Sequence, residues 1–412
     1  MHPRLRNLLL ATTPLLALGL TQASAGPEGA SVVGGAATIS GQGGPAVIVN
    51  QSTSSAVINW NTFNIRANES VRFNQPNSSS VALNRVVGGL GPSEIMGSLT
   101  ANGRVFIINR DGILFGPGSV VNTAGFLATT NDIKNADFMA GRYNFNIPGR
   151  PDASIVNQGR ITATSGGFAA LVAPGVRNSG TITATLGTVA LASGNSFTLD
   201  MYGDKLITLA VGDSIANKVI DVATGRPLKS LVSNTKSGTL SANGGRVELT
   251  AAAARAVVDS VINTKGVIRA DSIGRQNGMI VLNAATGGSK PAGAPAQTIK
   301  LAGTILAKGG AKGGDGGFVE TSSHGKLAFT GNVNAGAPRG RAGTLLLDPE
   351  DILIDSAAAT AISNSLANND VTITTNPNIS GNGDIALREG AHVAWNANTT
   401  LTLSAYHDII FQ

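Results

Sequence analysis

Residues 157–191, NQGRITATSGGFAALVAPGVRNSGTITATLGTVAL, carry one pattern twice. Asn157-Gln158-Gly159-Arg160-Ile161 returns as Asn178-Ser179-Gly180-Thr181-Ile182, and Gly167-Phe168-Ala169-Ala170-Leu171 returns as Gly187-Thr188-Val189-Ala190-Leu191. The copies start 21 and 20 residues apart (178 − 157 and 187 − 167). Short apolar runs separated by Asn and Gly at that period make one coil of a parallel β-helix, three strands and their corners. Alternate Val, Ile, Leu and Ala side chains then point inward and stack on their equivalents, while backbone groups pair between coils at about 4.8 Å. Asn at a corner can ladder its amide along the stack and satisfy turn groups that burial would otherwise leave unpaired. Gly relaxes the corner. A β-sandwich also has short strands and Gly turns, but nothing in it requires two phrases to repeat at one period.

Looser copies extend the pattern outward. Asn263-Thr264-Lys265-Gly266-Val267-Ile268 and Ala302-Gly303-Thr304-Ile305 continue the first phrase. Gly245-Arg246-Val247-Glu248-Leu249, Gly278-Met279-Ile280-Val281-Leu282, Gly317-Phe318-Val319-Glu320-Thr321 and Gly343-Thr344-Leu345-Leu346-Leu347 continue the second. The expected fold is all-β, a right-handed parallel β-helix with extra-helical hairpins and loops. Length over period gives roughly 15 coils and a rod on the order of 70 Å. The rhythm breaks at Asn135–Pro151, which carries Phe138, Tyr143 and Phe145 and reads as an extra hairpin on the side of the helix. It breaks again at the Gly/Pro/Ala-rich stretch 284–297 and at the glycine-dense turn 308–317. Residues 26–60 are expected to cap the front end, because an open terminal coil exposes unpaired strand edges. The last residues, Asp408-Ile409-Ile410-Phe411-Gln412, read as an apolar strand without a cap, so 216–412 is taken as a continuing helical region, uncapped or truncated.

Composition and the N-terminus point to export. Arg4 and Arg6 precede the apolar stretch Leu8–Leu20, and Ala23-Ser24-Ala25 has the small-residue pattern a signal peptidase accepts. The apolar core is shorter than the about 20 residues of a membrane span. Residues 1–25 are thus read as a signal peptide cleaved between Ala25 and Gly26. The chain has no cysteine, which excludes disulfides, thiol nucleophiles and thiolate metal sites. Charged residues are only 13% of the chain and glycines number 53, a composition that suits stacked short strands with tight corners. The formal charge of +6 is spread along the chain with no basic run interleaved with aromatics, so no nucleic-acid partner is expected.

Between the leader and the repeats lies a further signature. In 102–130, NGRVFIINRDGILFGPGSVVNTAGFLATT, the apolar runs Val105–Ile108 and Ile113–Phe115 flank Asn109-Arg110-Asp111-Gly112. Asn and Asp tolerate left-handed backbone and Gly adopts it freely, so this reads as strand, tight turn, strand. Upstream stand Trp60-Asn61-Thr62-Phe63-Asn64-Ile65, Phe73-Asn74-Gln75-Pro76-Asn77, Leu83-Asn84-Arg85-Val86 and Ile95-Met96-Gly97. Together, over about Gly34 to Asp132, these phrases resemble in wording and order the secretion domain of filamentous haemagglutinin-type exoproteins, the exported partners of two-partner secretion systems. The family usually has Pro and Asn where Arg110 and Asp111 stand, which changes the charge and stiffness of the turn. The resemblance implies a two-partner secretion domain over residues 26–215. It also implies a cognate outer-membrane β-barrel transporter with periplasmic domains as partner, and a secreted, extracellular or surface-associated adhesin or scaffold that meets host-cell or matrix glycans or proteins. On this reading Asn74, Gln75, Pro76, Asn77, Asn109, Arg110, Asp111, Gly112 and Ile113 are the candidate residues for transporter recognition and early folding, with simple turn-shaping as the alternative.

Catalytic motifs are missing from the sequence. The histidines are His2, His324, His392 and His407, with no HExxH, no pair at ligand spacing and no Gly-x-Ser-x-Gly elbow. The tract 309–317 holds Lys312 and Asp315 but lacks the Walker order and the Gly-Gly-x-Gly-x-Asp calcium register. Asp348, Glu350, Asp351 and Asp355 form the one acidic cluster, and alternation through Asp351-Ile352-Leu353-Ile354-Asp355 suggests a strand with solvated ends. Calcium would need these oxygens brought together, which the spacing does not force. No catalytic set, metal site or cofactor is assigned, and the chain is read as non-enzymatic. The rival reading is a stand-alone β-helical carbohydrate binder or polysaccharide-degrading enzyme, which would need acids clustered in a groove.

Overall fold

The computed structural model describes residues 26–203, 205–210, 214–254, 258–284, 297–375 and 381–412, the side chain of His324 excepted. The expected signal peptide with Ala25, and nearly all of the excursion at 284–297, lie outside the described residues.

Three parallel ladders wind into a β-helix. The first runs from Ala46–Gln51 through Ser70–Asn74, Ser98–Ala101 and the start of Val120–Thr129 onward to Asn332–Asn334. The second starts at Ser55–Trp60 and passes through Val81–Val86, Arg104–Ile108 and the end of Val120–Thr129 to Leu401–Ser404. The third contains Ser93–Ile95, Ile113–Phe115, Ser154–Asn157, Gly175–Asn178 and Ser230–Asn234 among its members. Successive strands of one coil therefore belong to different ladders, and each pairs only with the coils above and below.

Among the described residues the second ladder has twelve strands, fewer than length over period suggests. At the usual spacing that makes a stack of about 50 Å. The missing coils are chain spent on excursions. The largest lies between Ser193 and Ser230, where the chain leaves the helix and adds Phe197–Leu199 and Ile207–Leu209 to a small antiparallel sheet. Asn144–Phe145 is the third strand of that sheet. The aromatic segment at 135–151 supplies a short helix, Asn135–Met139, and one strand whose partner comes from 52 residues downstream, and it folds back through an antiparallel bridge between Asp132 and Ile147.

This sheet gives the second ladder two cores. In Arg160–Ala173, Ala169, Leu171 and Ala173 belong to the lumen cluster, while Phe168, Ala170 and Val172 belong to a separate cluster outside. The period of two therefore buries both faces. The outer cluster centres on Phe106, whose ring meets Phe138, Tyr143 and Phe168 edge-on, and Phe145 stacks on Phe197 at 4.7 Å. Edge-on and offset aromatic contacts add to area burial.

At the front end the first strands pair antiparallel. Ser31–Gly34 pairs antiparallel with Ser55–Trp60, and Ala37–Ser40 with Ala46–Gln51, covering edges of the first coil. Corner chemistry follows the repeat with two refinements. Asn157 Nδ2 donates to Asn178 Oδ1 at 2.8 Å and Asn178 Nδ2 donates to Asn234 Oδ1 at 2.8 Å, a ladder with all three residues buried. The ladder ends at Asn234, whose Nδ2 donates to Gly238 O at 3.4 Å and Val267 O at 3.2 Å; the residue in register with it one coil on is Thr264, not Asn263. The glycines of the second phrase serve close approach rather than left-handed backbone. A Cβ on Gly187, Gly245, Gly317 or Gly343 would collide with the carbonyl of the glycine one coil before it.

Among the described residues, a helix also takes the place of a strand within the rod itself. Helix Ser356–Leu366 stands where a coil would place its first-ladder strand, between the end of Thr344–Ile354 and Asp370–Thr374. Asp355 caps it, accepting from Ala357 N at 3.0 Å and Ala358 N at 2.9 Å. Ala358, Ala359, Ile362 and Leu366 close the lumen beneath it.

Candidate functional site

The nine candidate residues fall on two different corners of the helix. Asn74–Asn77 turns the chain from the first ladder into the second, and Asn109–Gly112 turns it from the second into the third. The five-residue strand Arg104–Ile108 separates the corners, so they stand about 16 Å apart at 3.3 Å per residue and do not form one patch.

At the first corner the buried member is Gln75. Its Nε2 donates to Gln51 Oε1 at 3.1 Å, to Ser80 O at 3.2 Å and to Arg104 O at 3.1 Å, tying successive coils together. Its backbone exchanges two bonds of 2.7 Å with the side chain of Asn102. Asn74 Nδ2 donates to Asn50 Oδ1 at 2.8 Å. Asn77 Oδ1 accepts from the backbone N–H groups of Ser79 and Ser80, both at 3.0 Å, closing an Asx turn. Pro76 and Asn77 are exposed. Beside them lies a groove of about 420 Å³ lined by Arg72, Phe73, Asn74, Thr100, Ala101 and Asn102 among others.

The second corner is organised by Asn109, which is 2% exposed. Its Nδ2 donates to Gly91 O at 3.1 Å and Ser93 Oγ at 3.0 Å, and its Oδ1 accepts from Asp111 N at 2.9 Å. Gly112 has φ +115°, and a Cβ there would lie 2.7 Å from Ser154 O, so conformation and space both require glycine. Ile113 is buried in the lumen between Ser93 and Ile155 of the neighbouring coils. The strands flanking this turn never pair with each other; the turn is a solenoid corner, not a hairpin. What faces outward is the Arg110 side chain and, partly, Asp111. Arg110 Nη2 donates to Pro148 O at 3.3 Å, and Arg150 lies 3.9 Å from Asp111 and 3.0 Å from Asp152. The exposed ion pairs order the surface but contribute little stability.

Sequence reasoning quoted Arg85 without assigning it a role. Its guanidinium donates to Asp132 Oδ1 at 2.8 Å, Asn135 Oδ1 at 2.8 Å, Ile133 O at 2.7 Å and Asn59 Oδ1 at 3.2 Å. It pins the extra-helical segment to the second ladder beside the Asn109 corner. The signal was the charge itself, since Arg85 follows the buried run Val81–Asn84. Asn84 is likewise structural: its Oδ1 accepts from Trp60 Nε1 at 3.0 Å within the core.

Other polar groupings serve the fold or stand on the surface. A cleft of about 370 Å³ lies between the first corner and the excursion at 200–206, lined by Arg104, Arg246, Asp200 and Met201 among others. Arg104 Nη1 donates to Tyr202 OH at 3.1 Å, and its guanidinium sits 5.5 Å from that ring. Arg246 contacts Glu248, which stands at an outward position of the second ladder where other coils carry Ala190 or Phe168's neighbour Ala170. Burial raises the Glu248 carboxyl above its usual range, with Arg246 and then Lys205 opposing. The acidic cluster at 348–355 does not converge: Asp355 caps the helix, and Asp351 Oδ1 accepts from Gly383 N at 2.8 Å and Asp384 N at 2.9 Å. Asp384, His407 and Asp408 place one ligand-capable atom each within 4.8 Å of one another at an exposed turn. His407 Nδ1 lies 2.9 Å from Asp384 Oδ1, and this bond, ahead of the Asp408 charge, raises its pKa.

The arrangement is a capped β-helical rod with internally bonded corners and an accessory sheet on one flank. The model of the TPS secretion domain family matches residues 23–294, well over half of the chain, and the chain belongs to that family. It is a two-partner secretion exoprotein, secreted through the periplasm and outer membrane to the cell surface or extracellular space. A heme/hemopexin-binding protein of Haemophilus influenzae strain Rd is 34% identical over 210 residues, covering 49% of this chain and 23% of that protein. A second heme/hemopexin-binding protein of Haemophilus influenzae is 30% identical over 249 residues, covering 55% of this chain and 24% of the relative. The matched part thus spans about a quarter of those relatives' length. The crystal structure of the HMW1 secretion domain from Haemophilus influenzae superposes with a TM-score of 0.60 at 24% identity, covering 94% of this chain and 100% of that one, and supports the fold.

Proposed function

We propose that this chain is delivered to the cell surface by a cognate outer-membrane β-barrel transporter with periplasmic domains, and acts there as an adhesin or scaffold. Residues 26–215 hold the cap, both candidate corners and the whole accessory sheet, and are proposed as the unit the transporter reads. Residues 216–412 continue the rod. The observation that carries this reading is the split within each corner. Buried Gln75, Asn109, Gly112 and Ile113 fix the backbone, and exposed Pro76, Asn77 and Arg110 with half-exposed Asp111 stand outside it. A partner can read the second set without disturbing the first. Once outside, each folded coil presents a strand edge that templates the next, so growth opposes backsliding without a nucleotide. Contact with host-cell or matrix glycans or proteins is part of the proposal.

The test is secretion of the full chain from a host with and without a candidate barrel. Barrel-dependent appearance in the medium supports the reading, and release without any barrel overturns it. Joint replacement of Arg110 and Asp111 by Ala is expected to lower release while the purified chain keeps its unfolding midpoint. Asn109→Ala is expected to lower both.

A further inference from the structure

Gly26, the residue that cleavage after Ala25 would place first, is buried, and its backbone N donates to Glu69 Oε2 at 3.0 Å. The same oxygen accepts from Arg66 N at 2.8 Å. Glu69 is 8% exposed, and it is held at the turn that opens the strand Ser70–Asn74. Its N–H donates to Arg66 O at 2.9 Å and its carbonyl accepts from Ser98 N at 3.0 Å. Gly26 is fixed equally closely. A Cβ on it would collide with Gly44 O, Gly43 N donates to Pro27 O at 3.1 Å, and Glu28 N donates to Thr62 O at 3.1 Å. A carboxylate taken from water is stable when a charge as well as a hydrogen bond meets it.

We infer that Glu69 is the counter-ion of the mature N-terminus, so that removal of the leader creates a buried ion pair and locks the cap onto the second coil. The inference rests on cleavage between Ala25 and Gly26. Hydrolysis of that peptide bond consumes one water; the new carboxylate leaves with Ala25, and the nitrogen stays on Gly26 and takes a proton. A neutral amide donor becomes an α-ammonium at the same 3.0 Å from Glu69 Oε2. Charge-assisted bonds of this kind are roughly twice as strong as neutral ones. The precursor holds the cap by the weaker bond and the processed chain by the stronger, which ties closure of the front end to passage out of the inner membrane. The geometry also explains glycine at this position, because no other residue fits beside Gly44 O.

The experiment uses four full-length precursors sent to the periplasm: unaltered, Glu69→Gln, one with Thr-Ser inserted between Ala25 and Gly26, and one with both changes. Intact mass fixes each mature N-terminus. Urea unfolding and the pH dependence of acylation of the α-amino group are then measured. In the chain starting at Gly26, Glu69→Gln is expected to lower the folded-to-unfolded ratio about tenfold or more, as for loss of a charged hydrogen bond. In the extended chain the same substitution should matter far less. The α-amino group should titrate above the ordinary range of about 7.7–8.0 in the unaltered chain alone. Should Glu69→Gln fail to fold, the titrations of the unaltered and extended chains still decide. An equal effect of Glu69→Gln in both backgrounds, or ordinary titration in a chain shown to start at Gly26, overturns the ion pair and leaves the cleavage reading standing. A mature chain starting elsewhere overturns both.

Discussion

Replacing Asn178 by Ala isolates the corner ladder, because that residue is the middle rung and is fully buried. Its Oδ1 accepts from Asn157 Nδ2 and its Nδ2 donates to Asn234 Oδ1, both at 2.8 Å, with a further bond to Gly180 O at 3.2 Å. Truncation strands a donor on one side and an acceptor on the other. Each buried group left unpaired costs about 1–3 kcal/mol, so Asn178→Ala is expected to cost about 2–6 kcal/mol before any cavity is counted. Asn157 is the end rung, since its partner in the preceding coil is Phe115. Asn157→Ala strands Asn178 Oδ1 and releases the N–H of half-buried Gly159, which Asn157 Oδ1 accepts at 3.2 Å, so it leaves one fully buried group unpaired where Asn178→Ala leaves two and is expected to cost less. The ladder also has a direction, each amide N–H pointing to the following coil. Asn178→Asp keeps the acceptor for Asn157 but sets a carboxylate oxygen against Asn234 Oδ1, two acceptors with no proton between them. Burial and that repulsion raise the new carboxyl's pKa in the fold. Its contribution is then fully present below the unfolded value of about 3.9 and is lost as pH rises through the folded value. Urea unfolding of the mature chain at acid and neutral pH, with amide exchange read at residues 154–182 and 230–241, measures all three variants. Equal costs for Asn157→Ala and Asn178→Ala, or an Asp variant as stable as the unaltered chain at neutral pH, would refute the ladder as a directional, cooperative element.

Three further outcomes follow from the same geometry. Gly112→Ala, which combines φ +115° with a Cβ 2.7 Å from Ser154 O, should destabilise by more than about 1 kcal/mol, whereas Arg110→Ala should leave the urea midpoint unchanged. Glu248→Gln should gain on the unaltered chain as pH rises: the native Glu248, whose pKa burial raises, favours the fold most below about pH 4.3 and loses that contribution through its folded value. Urea midpoints at pH 4 and pH 7 decide it, and a gain at acid pH instead would contradict the burial argument. His407, raised first by its bond to Asp384, should titrate above about 6.5 by NMR and fall back in Asp384→Asn; the stability it adds is present below that pH and is lost above the folded value.

What the sequence made legible is what repeats at a fixed period. Asn157 and Asn178 share a spacing to their glycines, so their ladder could be expected from residues alone. Asn234 forms the third rung with three residues between it and Gly238 instead of one, and that widened corner hides it. In the looser copy at 263–268 the register position falls on Thr264, one residue after the Asn, so the amide ladder does not continue there. The helix Ser356–Leu366 had its own signal in Asp355 followed by an alanine-rich run, but from sequence Asp355 reads as the solvated end of the strand before it and not as a cap. In the corners the turn residues were readable because turn chemistry is local; their exposure was not, because the coils on either side set it.

The illegible parts share a physical cause. A solenoid residue meets its own equivalents one coil away, so a regular period encodes its contacts directly. An excursion breaks that relation and couples residues at separations no pattern announces: Phe145 with Phe197, Arg85 with Asp132, Gly26 with Glu69. These are also the contacts that distinguish the first half of the rod from the second. A bare repeat could be extended or shortened by a coil with little change in its neighbours. The cap, the accessory sheet and the Arg85 anchor each exist at one level of the stack and fix where the chain begins its first coils. On the proposed function, a transporter that engages one end of a quasi-uniform rod would need such unrepeated features to recognise, and the two candidate corners lie among them, between the cap and the accessory sheet.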